Sequence, residues 1–419
     1  VRRQRQMCIR DRGYNISEES FFEPLRKVIT SMKLRGSWGL VGNDQIGGER
    51  FIYMPTINLS GKGFTTGIDQ NYGLSGPVYT RYENNSITWE VGEKINLGID
   101  LQLLNSLNIV VDIFRETRRD IFQKKGTIPT YLGTGNTDVF GNLAEMKNQG
   151  LDLSIDYNKA FSKDFYMNFK GTFTYAHNEI TKYDEAPKYA FQSKVGQSAN
   201  VSQGYLSNGL FLDEAEIDRY NQQMGSTLGA GDIKYLNVSN MHGYGDDIVD
   251  VDDWTWIGNP TVPEIVYGFG PSFKYKNWDF SFFFQGVAKT SLFMSGFHPF
   301  GDNSLRNVLQ FVANDRWSPT NQNVDAKYPR LTRKTSLNNT NPGNSGRTSD
   351  YWMRDGSFLK LKNMELGYTF KRMRFYISGS NLLTFSKFDL WDPEQGGGSG
   401  LKYPTQRVFN VGFQMTFNN

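Results

Sequence analysis

Cysteine and histidine are nearly missing from this chain, whose 419 residues hold one cysteine, Cys8, and three histidines, His177, His242 and His298. A lone thiol excludes a disulfide framework and a thiolate metal centre. Three histidines, all in segments that read as loops, leave few groups to act as bases near neutral pH. Long apolar runs are missing too, since nowhere do eighteen apolar residues follow one another, and a membrane-crossing helix is thereby ruled out. The motifs G-x-S-x-G, H-E-x-x-H and G-x-x-x-x-G-K-[ST] are absent, and adjacent carboxylates such as Asp252-Asp253 supply no geometry by adjacency alone. The chain does not read as an enzyme.

Excess charge is also scarce. The formal net charge is +3, but residues 1–12 (VRRQRQMCIRDR) hold five Arg against one Asp, so the remainder is close to −1 once that local +4 is removed. A nucleic-acid partner has no support. No apolar stretch follows these arginines, so they are not a secretory signal. They match nothing downstream, and residues 1–12 are read as a non-native basic prefix ahead of a unit spanning 13–419.

What the chain does have is aromatic residues, at 15%, and 43 glycines. Its last stretch sets the pattern: Phe409, Val411, Phe413, Met415 and Phe417 share one parity, while Asn410, Gly412, Gln414 and Thr416 take the other. That period of two gives a strand with one apolar face and one polar or small face. The same alternation predicts strands over Ser31–Val41, Ile95–Leu103, Leu107–Ile113, Leu151–Tyr157, Phe165–Tyr175, Ile265–Tyr275, Trp278–Gly286, Leu359–Phe370 and Phe375–Phe385. About ten strands result, most close to the nine to eleven residues that a tilted membrane strand needs.

The connections alternate in length. Short turns near 105, 162, 276 and 372 interleave with long segments at 42–85, 114–148, 177–264, 287–350 and 387–406. An outer-membrane barrel has that asymmetry, with short periplasmic turns and long extracellular loops. Lys and Arg are absent from the apolar parity, where each would cost roughly 2–4 kcal/mol at mid-membrane. Tyr157, Tyr175, Trp278, Phe370 and Phe417 fall near strand ends, as an interfacial girdle requires. The predicted class is all-β, a part of a large antiparallel transmembrane barrel. The competing reading is a soluble all-β protein with one very large core.

Several runs resemble the C-terminal barrel of SusC/RagA-type TonB-dependent outer-membrane transporters: RWSPTNQNVDAKYPRL (316–331), SDYWMRDGSFLKLKNMELGYTF (349–370), RFYISGSNLLTF (374–385), DPEQGG (392–397) and the terminal YPTQRVFNVGFQMTF. Upstream, SMKLRGSWGLVGN (31–43), WEVGEKINLGIDL (89–101), LAEMKNQGLDLSI (143–155) and IGNPTVPEIVYGF (257–269) continue the likeness. The resemblance implies TonB-energised import of glycans, or less often peptides, across the bacterial outer membrane, with a SusD-like surface lipoprotein as lid and TonB-ExbB-ExbD as energy source. It also implies a plug domain and further strands not recognised in these residues, so the chain is expected to be a barrel fragment with unpaired edges. The alternatives are a passive porin-like channel and a soluble all-β glycan-binding protein.

Two sets of residues are candidate sites. The acidic run Gly245–Asp253 offers closely spaced carboxylates of the kind hard cations take. Asp246, Asp250 and Asp253 fall on acidic positions of a loop common in the resembled family, a partial match with Asn237 where its first Asp would stand, which makes this 237–253 loop a candidate site for one Ca²⁺. The other reading is a solvated acidic tip. The aromatic residues Trp254, Trp256, Trp391 and Tyr403, set among Asn, Asp and Gly, could stack on sugar faces. Trp317 and Tyr328 sit in RWSP and KYPRL and are expected to fold their loop instead. Leu305–Val312 has helical spacing, and Gly396–Gly400 reads as a flexible tip with no phosphate-binding role.

Overall fold

The computed structural model describes residues 7–44, 51–129, 139–220, 222–223, 228–296, 300, 307–333 and 348–417. Eleven strands make one sheet: β1 Met7–Asn15, β2 Ile29–Asn43, β3 Glu90–Leu103, β4 Leu107–Lys124, β5 Phe140–Ala160, β6 Phe165–Lys182, β7 Ile265–Tyr275, β8 Trp278–Ala288, β9 Phe358–Phe370, β10 Met373–Ser386 and β11 Val408–Met415. Each strand pairs antiparallel with its neighbours in the chain, from β1 at one edge to β11 at the other. The result is a meander, the connectivity of an up-and-down barrel wall.

Directly opposed residues share a face, so the register sorts the two sides. One row runs Leu34, Ile99, Val111, Leu153, Phe173, Tyr267. The next runs Arg35, Gly98, Asp112, Asp152, Thr174, Val266. Among the described residues, large side chains of the apolar side remain uncovered. Leu97 is 63% exposed and Ile377 55%, although each lies on a strand flanked on both sides, and Phe409 reaches 76% on edge strand β11. These side chains do not fill a closed interior, and the soluble reading with one large core is set aside. Rings are laddered across this face, with Phe165 stacked on Phe273 at 6.5 Å, Phe273 on Phe280 at 6.4 Å and Phe375 against Phe413 at 5.1 Å.

The polar side pairs its charges within itself. Arg35 bridges Asp100 and Asp112, both at 2.8 Å. Arg374 bonds Asp279 through Nε at 3.0 Å and Glu365 at 2.5 Å. The glycines of this face make room for rings: Tyr376 lies flat over Gly412, where a Cβ would come within 2.1 Å of its ring.

Four short connections, at 104–106, 161–164, 276–277 and 371–372, lie at one end of the sheet. The structure departs from the periodicity reading at the other end. Strands β4, β5 and β6 have 18, 21 and 18 residues, well beyond the predicted Ile113, Leu151 and Tyr175. At about 3.4 Å per residue β5 is roughly 70 Å long, far more than a membrane needs, so its upper half has water on both sides and no reason to alternate. His177, expected in a loop, is therefore in β6. A hairpin, Thr56–Thr66 with Tyr72–Arg81, stands inside the segment read only as glycine-rich and polar. The eleventh strand is β1, which takes in residues 7–12 of the basic prefix.

Candidate functional site

The densest packing lies above the wall, among the long connections. Tyr205, Leu210, Phe211, Ile233, Tyr235 and Met294 are fully buried there, with Trp352 at 2% exposure. Polar sequence hides this core because its apolar residues are scattered over more than 180 positions with no period. Trp317 and Tyr328 belong to it, as expected. The Trp317 N–H donates to the Tyr328 carbonyl at 3.0 Å, and its ring covers Gly231, whose φ of +82° suits glycine. Beside them Arg330 grips the buried Asp232 through two bonds of 2.6 and 2.9 Å. The motifs RWSP and KYPRL thus fold the loop layer.

The acidic run forms a compact knot. Asn237 caps the short helix Val238–Met241, accepting from Asn240 N–H at 2.7 Å, and donates to Asp246 at 3.2 Å and to the Ile248 carbonyl at 3.1 Å. Asp253 is fully buried and accepts from the N–H groups of Asp250 at 2.7 Å and Ser239 at 2.9 Å, closing a capping box. Its burial pushes its carboxyl above the usual range, with the same hydrogen bonds pulling the other way. Asp246 goes the opposite way: burial pushes it up, but donors from Ile248, Asn237 and Ser239 bring it below its ordinary value. The carboxylates that come together, within 4.8 Å, are Asp246, Asp250 and Asp252. Asp252 is also paired with Lys188, and Asp253 is turned inward, away from that group. Asp246, Asp250 and Asp252 could hold a cation.

The four candidate rings are dispersed. Trp254 packs on the loop core, edge-on to Tyr205 at 6.1 Å. Trp256 donates its indole N–H to the Ser193 carbonyl at 2.8 Å. Tyr403 is 80% exposed, and its hydroxyl accepts from Gln406 at 2.8 Å. Trp391 packs edge-on against Phe388 at 4.5 Å and donates to the Gly396 carbonyl at 3.0 Å. It also lines a cavity of about 330 Å³ with Lys360, Asn381, Thr384, Asp389 and Arg407. A second cavity of about 480 Å³, lined by Gln285, Thr290, Phe293, Phe358 and Gly397, shares Pro393 with the first.

Periodicity missed the residues that divide these cavities. Lys360, on the polar side of β9 and 1% exposed, bonds Asp392 at 2.5 Å and Glu394 at 2.7 Å, and Lys362 adds a bond of 2.6 Å to Glu394. A bulge between Leu361 and Asn363 places Lys362 outside the regular alternation. The last long loop is thus strapped to the wall through the DPEQ of one resembled motif and the KLK of another. The glycines beyond it are not a free tip. Gly398 N–H donates to the Phe293 carbonyl at 2.8 Å, and Ser295 N–H to the Gly398 carbonyl at 2.8 Å. The helical run is shorter than its spacing suggests, a helix at Gln310–Asn314 with Leu309 as its extended N-cap. Val312 is buried against the core, whereas Leu305 lies outside the described residues, as does His298.

No family model matches the chain. Curated relatives do: TonB-dependent receptor P3 of Formosa agariphila is 25% identical over 97% of this chain and 41% of its own length. TonB-dependent receptor SusC of Bacteroides thetaiotaomicron is 26% identical over 97% of this chain and 39% of its own. The chain therefore spans about two fifths of the length of these relatives. Among solved structures, the RagAB peptide transporter matches 98% of this chain and 43% of its own at a TM-score of 0.68 and 20% identity, a likeness of fold. The chain is thus an outer-membrane barrel wall, similar over 97% of its length to TonB-dependent receptors, SusC among them, and similar in fold to RagAB.

Proposed function

We propose that this chain forms wall and extracellular loops of a TonB-dependent importer of glycans, acting with a SusD-like lipoprotein and driven by TonB-ExbB-ExbD. The observation that supports it most is the two-sided wall continuous with a folded loop layer, in a chain alike over 97% of its length to TonB-dependent receptors. Such a wall needs hydrocarbon outside and solvent inside, and it does no chemistry of its own. Substrate would be caught between lid and loops and released inward when the plug, outside these residues, is pulled.

The cavity beside Trp391 combines a ring, an amide, carboxylates and the exposed Arg407, a mixture suited to hydroxyl-rich ligands. The RagAB relative is described as a peptide transporter, so peptides form the second arm of the test. Cells with the complete receptor would be given labelled oligosaccharides or oligopeptides, with and without TonB. Uptake of oligosaccharide that stops without TonB supports the reading. Uptake that persists without TonB indicates a passive channel, and uptake of peptide alone replaces the substrate class.

A further inference from the structure

The outward face of β5, β6 and β7 is apolar from Phe169 up to Tyr175, and within it one side chain is missing. Gly171 is the only glycine among the outward residues of these three strands between the rows of Phe169 and Tyr175. Ile155 and Phe269 stand directly opposite it on the two flanks, and on its own strand Phe173 lies above and Phe169 below, the Phe169 ring leaning to 3.3 Å from where a Cβ on Gly171 would sit. Together with Leu153, Ile265 and Tyr267 they border a groove of about 420 Å³ whose lining is almost wholly apolar.

Just above the groove the chemistry changes. The outward row after Ile113, Leu151 and Tyr175 holds Arg115, Gln149 and His177, which are in register with one another. Lys289 joins them, its ammonium 5.1 Å from the Tyr175 ring and 3.5 Å from Glu264, which also bonds His177. The Lys289 side chain is 52% exposed and that of His177 37%, so both present donors to the outside. Gly171 and His177 are six positions apart, about 20 Å along the strand and about 15 Å along the membrane normal at barrel tilt, the depth of one leaflet of a ~30 Å core.

We propose that this groove is a binding site for an outer-leaflet lipid, with an acyl chain seated over Gly171 and a phosphate of its headgroup between Lys289, His177 and Arg115. An acyl chain suits the groove because the surrounding solvent is hydrocarbon, which leaves no hydrophobic drive for a water-soluble partner, while a notch among rings offers a chain more contact than a flat wall. The cations at the upper rim then favour a phosphorylated headgroup over a neutral one.

The test is retained lipid on the complete receptor, extracted in mild detergent, exchanged extensively and analysed by native mass spectrometry with phosphate assay. The wild type should keep about one phosphorylated lipid per receptor. Gly171→Leu should lower that load about threefold, since a filled notch takes away the close carbon contacts that set the groove apart from a flat wall. Ile155→Trp, filling the notch from the neighbouring strand, should do the same, and heat-modifiable migration on gels reports that either variant is folded. Lys289→Gln with Arg115→Gln should shift the retained lipid toward unphosphorylated species. Equal lipid on wild type and folded filled variants overturns the proposal, as does a wild type that retains no lipid or carries a protein partner there instead.

Discussion

At the scale of single residues, exposure to hydrocarbon and exposure to water look alike in a solvent-accessibility number but differ in energy. Leu97 and Asn96 are neighbours on β3 and point to opposite faces. Leu97→Arg should destabilise the membrane-inserted receptor by roughly 2–4 kcal/mol, whereas Asn96→Arg should be tolerated. Unfolding of the complete receptor in lipid vesicles by denaturant measures both. A cost below about 0.5 kcal/mol for Leu97→Arg, as for an ordinary surface site, would contradict an outward lipid face. The same face bears on the basic prefix. Arg10 and Arg12 stand opposite Trp38 and Gly36, so in β1 they share the apolar side. Arg12→Leu should therefore stabilise this edge, read by slower hydrogen exchange of the β1–β2 amides. In the loop layer Asp253 and Asp252 are adjacent but not equivalent. Asp253→Ala removes a buried cap and should cost about 1–3 kcal/mol by thermal unfolding. Calcium calorimetry should respond to Asp250→Asn or Asp252→Asn, and no calcium heat from the wild type would eliminate a cation in this loop.

At the scale of elements, the strap between β9 and the last loop is an ionic latch with a calculable pH response. Burial pushes the Asp392 and Glu394 carboxyls up, but Lys360 and the surrounding donors, with Lys362 on Glu394, more than offset it and leave both below their ordinary values. For carboxyls depressed in the folded state, the stabilisation is complete above the unfolded range near pH 4 and fades as pH falls through the lower folded values. Limited proteolysis of residues 387–407 should thus be slow at pH 7 and quicken only well below pH 4. Lys360→Met should weaken that pH dependence to what Lys362 on Glu394 sustains, and speed cleavage of the loop at pH 7. This latch was not legible in the sequence, because its partners are 32 residues apart and a bulge takes Lys362 out of the alternation. What was legible is where one face meets lipid: Ile265–Tyr275 was bounded correctly from period two alone. The upper halves of β4 to β6 were not, since water on both faces removes the contrast that alternation records. For the candidate site, the acidic knot was legible by composition. Which of Asp252 and Asp253 turns inward was not, because a capping box decides it.

At the scale of the whole molecule, eleven strands follow one another in order among the described residues, where the two outer ones, β1 and β11, each pair on one side only. Both therefore present a row of free N–H and C=O groups beside an exposed apolar face, on β11 the face of Phe409, Val411 and Phe413. Such an edge recruits any strand available. In a membrane the pressure is greater, because hydrocarbon offers no hydrogen bonds to unpaired backbone and only a closed wall satisfies it. These 419 residues, refolded by themselves into vesicles, should form edge-paired oligomers of mixed size without heat-modifiable migration. Supplying strands that complete the circumference should yield one discrete, heat-modifiable species, and light scattering distinguishes the two states. A discrete monomer from these residues alone, with β1 and β11 protected from hydrogen exchange, would mean that the sheet closes on itself as a small barrel. A substrate route in a barrel of that size would have to be narrower than the wall described here implies.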